Sequence, residues 1–571
     1  MMRNIAVIVF TLLCTCVHAQ MLVEGKHVFL DEQTGLLLAT IPERMFGQQE
    51  ASLMVEKEAG WQEVCVEGTD IGKGFCSFSS ISAESKWAVK ATKADGTQVQ
   101  ATLQFTFLPI VGLLSSTANG FGKEYQEGTF VFSHPDSART DTLTAKIKWR
   151  GGTTNAADRH KRNYKLNFNE DHRFFGLRND DKWMLDAGQP DVFRMRNRIA
   201  MDLWNSMARK PYYASLEPKA LNGVRGNMVE LFLGDEYRGL YNFSEMMDRK
   251  QLKLKKLDKE TGEIRGCLYK GVSWERTQMF NTFENYDNTK ETLYGYEMKY
   301  PELGDDSDTV DWKPLVEGNN FARNSTNEEF QERIADYFDI PVLIDYNIFY
   351  NVVNAVDNAG KNMYWAVYDK TATKRLTPTP WDLDATFGQR WGGQLVVETE
   401  EGFFNSPELK LDFELMVTYR MFRDNANDYL GKLNERYRQL RQPGQPLHTD
   451  SIVALVTRYY HAVKNSGAAQ REATKWTGDT DVWGDVINFD SEYAYICDWI
   501  RRRMDFIDQR ELPLFYKKSY FDELDVRPPT ISPEEGSIIY DLSGRKMITN
   551  GSTTGLKPGL YVRGGRKFIV R

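Results

Sequence analysis

The chain has 571 residues, more than one hydrophobic core usually organises, so its length predicts roughly two to four domains. With 41% hydrophobic and 27% charged residues it has enough apolar material for packed cores, which excludes a disordered or collagen-like protein. The 72 Lys and Arg against 80 Asp and Glu give a net charge of −8, which disfavours nucleic acid or an anionic membrane as a partner bound by bulk charge.

The N-terminal residues have the pattern of a secretory signal peptide. Arg3 precedes an apolar run over residues 5–13, and small residues lead to an expected cleavage after Ala19. We therefore expect residues 1–19 to be removed and the mature protein to be exported, to the periplasm, the cell surface or the medium. No later stretch approaches the roughly 18 apolar residues of a transmembrane segment.

Residues 20–107 show short alternating apolar and polar runs, such as TQVQATLQFTF, separated by turn-forming segments. Alternation of this kind is typical of half-buried strands, so the region predicts an N-terminal β-sandwich. Cys65 and Cys76 lie within it, and their spacing matches no zinc or redox motif. They either form a disulfide across a short loop or remain as two buried thiols.

A glycine turn follows in the long central region. The segment AKIKWRGGTTN is typical of a strand that enters such a turn, and KRNYKLNF is typical of the returning strand. Backbone N–H groups at Gly151, Gly152 and Thr153 would then face phosphate. Lys165 is the first choice for the countercharge, and Lys161, nearer the loop, is the second. The same turn is also common in β proteins that bind no ligand.

Residues 336–388 are the most informative stretch. Pro341 suits the first turn of a helix that is apolar or aromatic all round, which predicts a buried helix. This helix would deliver residues 354–357 into the interior. Two extended segments follow, residues 363–368 and 376–381, and the polar turn between them predicts a hairpin.

Pairing Met363 with Trp381 in that hairpin would place Asn362 opposite Asp382. The resulting cluster has four members: Asp357, Asn362, Asp382 and Asp384. Gathered carboxylates repel one another unless a proton or a cation lies between them. Because these are hard oxygen ligands with no His or Cys nearby, they suit Mg²⁺ or Mn²⁺. The alternative is that these side chains only cap turns and the helix end.

The five-residue interval from Asp357 to Asn362, followed by an aspartate after a hairpin, is also the spacing of a kinase catalytic loop and its metal-binding aspartate. The segments KRNYKLNF, GNMVELFLGDEYRGLYNFSEMMD, GKNMYWAVYD and PWDLDATFG resemble the CotH family of secreted and spore-coat kinases. The resemblance covers the whole central region, residues 108–515. It implies an α+β fold with an atypical protein-kinase-like, two-lobed central domain.

The resemblance also implies roles for individual residues. Asp357 would orient or deprotonate the accepting hydroxyl, and Asn362 with Asp382 or Asp384 would hold Mg²⁺ or Mn²⁺ against the phosphates of ATP. The hairpin register favours Asp382 and the family pattern favours Asp384, so both remain candidates. Glu245 ends a predicted hairpin where a kinase-like chain passes between lobes, which leaves a structural and a nucleotide-proximal role open.

Residues 516–535 have the composition of a linker and contain Arg527, Pro528 and Pro529. Residues 536–571 follow, with two short apolar segments broken by glycine turns, and predict a small C-terminal β-module. The order IIYDLSGRKM and GLKPGLYVRGGRKFIVR resembles the sorting module of type IX secretion in Bacteroidetes. That resemblance implies export across the outer membrane or surface attachment, whereas the simpler interpretation is a β-domain with a basic tail.

The functional hypothesis is a secreted, ATP-dependent phosphotransferase that modifies Ser, Thr or Tyr hydroxyls of an exported protein. One alternative is a catalytically idle kinase-fold protein that binds a glycan or a cell-envelope partner, with an aromatic platform near Trp381 and Trp391. A second is a glycosidase that uses two carboxylates of the cluster. The scattered histidines form no paired helical ligand set, so zinc hydrolysis has no support.

Overall fold

The computed structural model describes residues 21–508 except 59, 118–119, 157, 274–282, 284, 391–415 and 480–485, and residues 539–541, 546–547, 556–563 and 566–570 near the C-terminus. The expected signal peptide, the expected linker and Trp391 lie outside the described residues. The chain divides into two compact units, Met1–Asp508 and Gln509–Arg571. Both helices and strands are abundant, so the fold is of the α+β class, as the sequence predicts.

The first unit begins with two sheets whose strands pair mostly antiparallel. Their strands are β1 (Met21–Val23), β2 (Lys26–His27), β3 (Phe29–Asp31), β4 (Leu36–Thr40), β5 (Glu50–Lys57), β6 (Trp61–Val66), β7 (Thr69–Asp70), β8 (Lys73–Ser79), β9 (Trp87–Lys93) and β10 (Gln98–Thr106). The sheet orders are β2-β1-β5-β8 and β3-β4-β10-β9-β6-β7, and both sheets contribute to one apolar core. Cys65 and Cys76 are free, half-buried thiols, so the disulfide alternative is wrong.

A closed seven-stranded barrel follows. Its strands are β11 (Ile110–Ser115), β12 (Gln126–Ser133), β13 (Asp141–Arg150), β14 (Asn163–Arg173), β15 (Asn179–Asp186), β16 (Gly226–Leu233) and β17 (Glu236–Glu245), in the order β11-β12-β13-β14-β15-β17-β16. The predicted pair AKIKWRGG and KRNYKLNF is present as β13 and β14, with Lys148 opposite Lys165 and Arg150 opposite Asn163. Because side chains alternate along a strand, Tyr164 and Leu166 enter the barrel core while Lys165 lies on the outer face.

A five-stranded sheet carries the predicted hairpin. Its strands are β18 (Cys267–Gly271), β19 (Thr292–Leu293), β20 (Tyr296–Tyr300), β21 (Met363–Val367) and β22 (Thr377–Pro380), in the order β19-β20-β18-β21-β22. The predicted register is wrong by one residue, because Met363 pairs with Pro380. The backbone N–H of Trp381 donates to the carbonyl of Asn362 at 3.0 Å, so Asn362 lies opposite Trp381 rather than Asp382. β22 tolerates its two prolines because it is the edge strand.

Helices form the remainder of the first unit. They are α1 (Arg196–Met207), α2 (Arg249–Leu252), α3 (Lys313–Asn324), α4 (Asn327–Tyr337), α5 (Ile340–Val352), α6 (Met416–Arg423), α7 (Tyr429–Leu440), α8 (Thr449–Asn465), α9 (Ala468–Trp476) and α10 (Phe489–Asp508). In α5 every residue except Pro341 is buried, which confirms the prediction of a buried helix. Among the helices described here, none has both the length and the apolar composition to cross a membrane.

The second unit contains a small sheet. Its strands are β23 (Ile539–Asp541), β24 (Lys546–Met547), β25 (Gly559–Arg563) and β26 (Arg566–Val570), in the order β24-β23-β25-β26. All three pairings are antiparallel. The β content agrees with the strands expected there, and the sorting role stays a prediction.

Candidate functional site

Asp357 lies in the turn that follows α5 and is held by two neighbours. Its carboxylate oxygens accept hydrogen bonds from Lys361 Nζ at 2.9 and 2.8 Å, and Oδ2 also accepts one from Asn362 Nδ2 at 2.8 Å. The Asp357 side chain is 12% exposed and that of Lys361 is 33% exposed. A cation and an amide therefore fix the orientation of this carboxylate at the edge of solvent. The five-residue interval seen in the sequence is thus a direct side-chain contact.

Asn362 is locked by its backbone as well as by its side chain. Its φ of 53° lies in the left-handed region, and its N–H donates to the carbonyl of Gly271 at 3.0 Å. Asn358 Nδ2 donates to the carbonyls of Asn362 at 2.9 Å and of Trp381 at 2.6 Å. Asn358, which the sequence analysis did not single out, therefore fastens the ends of β21 and β22 to the turn that carries Asp357.

Asp382 and Asp384 follow β22 directly. Asp382 is exposed and has a φ of 58°, so the chain turns sharply as it leaves the sheet. Burial raises the pKa of Asp384 well above its usual range, and the charges of Asp382, Asp186 and Asp357 raise it further. Because such charge coupling requires proximity, the structure brings the predicted carboxylates into one neighbourhood.

These carboxylates are nevertheless not drawn tightly together. In the part of the chain that the structure describes, the one group of three carboxylates with oxygens all within 4.8 Å of one another is Asp171, Asp180 and Asp181. Lys250 Nζ already lies 3.0 Å from Asp180 Oδ1 and 2.5 Å from Asp181 Oδ1. That second acidic group therefore has its positive partner within the protein, whereas the charges that act most on Asp384 are those of other aspartates.

Asp186 and Asn197 also belong to the site, and sequence analysis missed both as site residues. Asn197 Nδ2 donates to Asp186 Oδ2 at 2.7 Å, and Asn197 Oδ1 accepts from the backbone N–H of Leu383 at 3.0 Å. Burial raises the pKa of Asp186, and the charge of Asp382 adds to this effect. Asn197 thus connects the end of β15 to the segment between the two aspartates that follow β22.

Cations line the barrel wall that faces this segment. The guanidinium of Arg150 lies over the Trp381 ring, 5.1 Å from its centroid. Burial lowers the pKa of Lys165; the charge of Glu302 raises it, and the charges of Lys182 and Lys148 lower it. Burial likewise lowers the pKa of Lys270 in β18 to about 8, although the charge of Asp382 acts in the opposite direction. Lys270 lies within β18 of the neighbouring five-stranded sheet, and it had no sequence signal because nothing in the short strand CLYKG marks it.

The glycine turn begins at the end of this cationic wall. Gly151 has a φ of 109°, and a Cβ there would lie 2.0 Å from Thr154 Oγ1, so the position requires glycine. Thr154 Oγ1 donates to the carbonyl of Arg150 at 2.9 Å and folds the turn back on itself. Thr153 begins a short 3₁₀ turn, and Gly152 beside it is exposed.

Two of the candidate nucleotide-binding residues have other partners. Lys161 is buried, its ammonium donates to the carbonyl of Leu240 at 2.5 Å and it lies 3.5 Å from Glu472 Oε1. These contacts hold the ammonium within the protein and disfavour the phosphate-binding role predicted for Lys161. Glu245 is fully buried and accepts from the backbone N–H groups of Arg178 at 3.0 Å and Arg225 at 2.9 Å. Those contacts favour the structural alternative for Glu245.

A narrow cleft separates the outer wall of the barrel from Trp381. Its lining includes Arg150, Asp186, Asn197 and Asp382, together with Ser244 from β17. The space within it is about 20 Å³. That is enough for about one water molecule or a metal ion, and far too little for a nucleotide.

Comparison with known proteins agrees with the resemblance seen in the sequence. A family model described as CotH kinase protein matches residues 147–507, which is more than half of the 571 residues. The matched range contains the glycine turn, Lys165, the Asp357 turn and both aspartates after β22. No curated protein matches the chain.

Proposed function

The chain belongs to the CotH kinase family, and from this we propose that it transfers a phosphoryl group from ATP to a Ser, Thr or Tyr hydroxyl of an exported protein, with Mg²⁺ or Mn²⁺. The observation that carries the proposal is the Asp357–Asn362 contact at 2.8 Å beside Asp384. In kinases the corresponding interval joins the residue that accepts the hydroxyl proton to a metal ligand. The signal peptide pattern supports export, and the C-terminal module is proposed as its sorting signal.

In this proposal the barrel is the smaller, nucleotide-covering lobe. The helices and the β18–β22 sheet form the larger lobe, and the cleft between Arg150 and Trp381 is the line along which the phosphates lie. The two walls have to separate for a nucleotide to enter, because the present space is about 20 Å³. Opening and closing of lobes around a substrate is common among phosphotransferases.

The donor set fits a hard divalent cation. Asn362 supplies an amide oxygen, and Asp384 and Asp382 supply carboxylates. The mutual repulsion that raises the pKa of Asp384 is what a bound cation relieves. When bound, the cation supplies charge neutralisation at the β- and γ-phosphates. We propose Asn362 and Asp384 as principal ligands, because Asp384 is the carboxylate that burial and neighbouring negative charge affect most, whereas Asp382 is exposed.

Asp357 then accepts the proton of the acceptor hydroxyl. As the hydroxyl oxygen forms a bond to the γ-phosphorus, the bond to the β–γ bridging oxygen breaks, and ADP leaves with that electron pair. Asn362 and Lys361 keep the Asp357 carboxylate aimed during this transfer. Lys361, being partly exposed, is proposed as the positioning residue whose ammonium also lies near the transferring group.

The cationic wall supports a polyphosphate as the ligand. Lys148 and Lys165 stand directly opposite each other on neighbouring strands, and like charges in that arrangement destabilise a sheet. The centroid of the Tyr125 ring lies 4.5 Å from Lys148 Nζ and 5.9 Å from Lys165 Nζ. These cation–π contacts offset part of the repulsion. The charge of Glu302 acts on Lys165 in the same sense. An anion bound along this wall would offset what remains, so Lys165 is proposed as a phosphate contact.

The test is label transfer from γ-³²P-ATP with Mn²⁺, comparing wild-type protein with Asp357→Asn. The amide keeps the shape but accepts no proton, so we expect autophosphorylation or transfer to casein to fall about a hundredfold or more. Asp450→Asn is the matched control, because Asp450 is 90% exposed. Equal transfer by wild type and Asp357→Asn would refute the role of Asp357.

The small cleft favours one second candidate, a kinase-fold protein that has lost catalysis and binds a glycan or a cell-envelope partner. The two functions differ in their response to nucleotide. The kinase gains thermal stability in millimolar ATP with Mn²⁺, since a ligand that binds the folded state raises its stability. A melting temperature that does not change when the nucleotide is added would favour the catalytically idle protein.

A further inference from the structure

A second, larger cavity lies at the other end of the barrel. Its volume is about 740 Å³, within the range of roughly 300–1,000 Å³ typical of small-molecule sites. Its lining comprises Phe132, His134, Asp141, Leu143, His172, Arg173, Phe174, Phe175, Gly176 and Asn227. Asp141 of this lining begins β13 and Arg150 of the cleft ends it, about 30 Å away along the strand at ~3.3 Å per residue. At β16 and β17 the two linings come closer, because Asn227 pairs with Phe243, the neighbour of Ser244. The two linings nevertheless share no residue.

Aromatic rings form one wall of this cavity. The Phe132 ring lies 5.3 Å from the rings of both Phe174 and Phe175, centroid to centroid. Phe132 and Phe174 are buried, whereas Phe175 is half-buried and reaches the cavity surface. Phe175 has a φ of 53°, a left-handed conformation that a bulky side chain rarely adopts. Strained backbone of this kind concentrates at ligand-binding positions.

Polar groups of both hydrogen-bonding types surround the rings. The backbone N–H of Asp136 donates to His134 Nδ1 at 3.2 Å, so the neutral imidazole carries its proton on Nε2 and donates there. Burial lowers the pKa of His134, which keeps the ring neutral. Asn227 offers a donor and an acceptor, and Asp141 and Arg173 contribute one carboxylate and one guanidinium. The charges of the lining therefore balance.

We propose that this cavity binds a neutral saccharide. A sugar ring presents a C–H face that packs on aromatic rings and a rim of hydroxyls that both donate and accept, which matches this lining on both counts. The balanced charge argues against a phosphate, a nucleotide or a polycation as the ligand. The site is independent of phosphoryl transfer, since none of its residues takes part in the acidic cluster.

The experiment is calorimetric titration of the full mature chain with maltohexaose, cellohexaose and mannohexaose. Hexagalacturonate serves as a charged probe, and a Trp-containing hexapeptide serves as an aromatic one. We expect at least one neutral hexasaccharide to bind, and Phe175→Ala to weaken it about tenfold or more. Phe75→Ala is the matched control, because Phe75 is 71% exposed and lies in the N-terminal sheets.

Two further variants keep the test decisive if Phe175→Ala does not fold. Asp141→Ala and Arg173→Ala remove exposed polar groups of the lining and should also weaken binding. Asp357→Asn should bind the saccharide as wild type does, which separates this site from the kinase proposal. Any of three results would overturn the proposal. The first is no heat from any neutral hexasaccharide up to about 10 mM, and the second is tighter binding of hexagalacturonate or of the peptide. The third is unchanged affinity in all three cavity variants.

Discussion

The burial of Lys161 predicts that the stability of the protein depends on pH. The side chain is 1% exposed, donates to the carbonyl of Leu240 at 2.5 Å, and lies 4.1 Å from the centroid of the Tyr241 ring. Burial lowers its pKa to about 7, and the charge of Glu472 opposes the shift without cancelling it. In the unfolded chain the same lysine has an ordinary pKa of about 10.4.

Between these two pKa values the unfolded state binds a proton that the folded state lacks. The free energy of unfolding therefore rises with pH in this window, by up to about 1.4 kcal/mol per pH unit for a full proton. From about pH 7.5 to 9.5 the contribution is about 2–3 kcal/mol, or about 2–3 °C in melting temperature for a unit of this size. Lys161→Met removes this contribution, because methionine does not titrate.

The assay is the melting temperature by intrinsic fluorescence, for wild type and Lys161→Met, across that pH range. The difference between the two proteins should change by the stated amount in favour of wild type as the pH rises. Lys123→Met, at an exposed position, is the matched control. A melting-temperature difference between wild type and Lys161→Met that stays constant with pH would refute the reasoning. Weaker ATP·Mn²⁺ binding by Lys161→Met than by Lys165→Met would refute it too.

Three further predictions concern the site and its support. Asp384→Asn should weaken Mn²⁺ binding roughly tenfold or more. The metal-free melting temperature should stay equal or rise, because the substitution removes a carboxylate that its neighbours repel. A thermal shift titration with Mn²⁺ measures both. Lys361→Met should lower kcat roughly tenfold to a hundredfold with little change in KM for ATP, and Lys361→Arg should restore much of it, since the ammonium orients Asp357; unchanged kcat in steady-state label transfer would contradict this. Glu472→Ala should cost about 3–5 kcal/mol, measured as a fall in melting temperature, because it strands buried Arg194 beside Lys161.

The sequence predicted the local parts of the site well. The helix α5, the hairpin of β21 and β22, and the turn with Asp357 all follow from periodicity, proline placement and spacing along a short stretch. The register failed by one residue. Alternation shows which residues share a face, but it does not show that the N–H of Trp381, and not that of Asp382, donates to Asn362.

The long-range parts had no local signal. Asn197 contacts Leu383 across 186 residues of sequence, and an asparagine near the start of a helix looks the same whether or not it does so. Lys161 and Lys165 are four residues apart on one segment, and only the closed barrel decides that the first is sealed against Glu472 while the second lies on the outer wall. Contacts between distant segments depend on the topology, which pattern alone does not fix.

The way α1 begins explains how a site of mutually repelling groups remains in place. Arg196 is buried and pairs with Asp191 at 2.6 Å and with Glu492 of α10 at 2.9 Å. The next residue, Asn197, reaches Asp186 and the Leu383 backbone. Breaking a buried, hydrogen-bonded ion pair is strongly destabilising, so the Arg196 contacts hold the start of α1 rigidly. These two neighbouring residues thus have complementary roles. Arg196 anchors the helix to the rest of the protein, and Asn197 holds two acidic segments close despite their repulsion. A charged site needs such support to be positioned precisely.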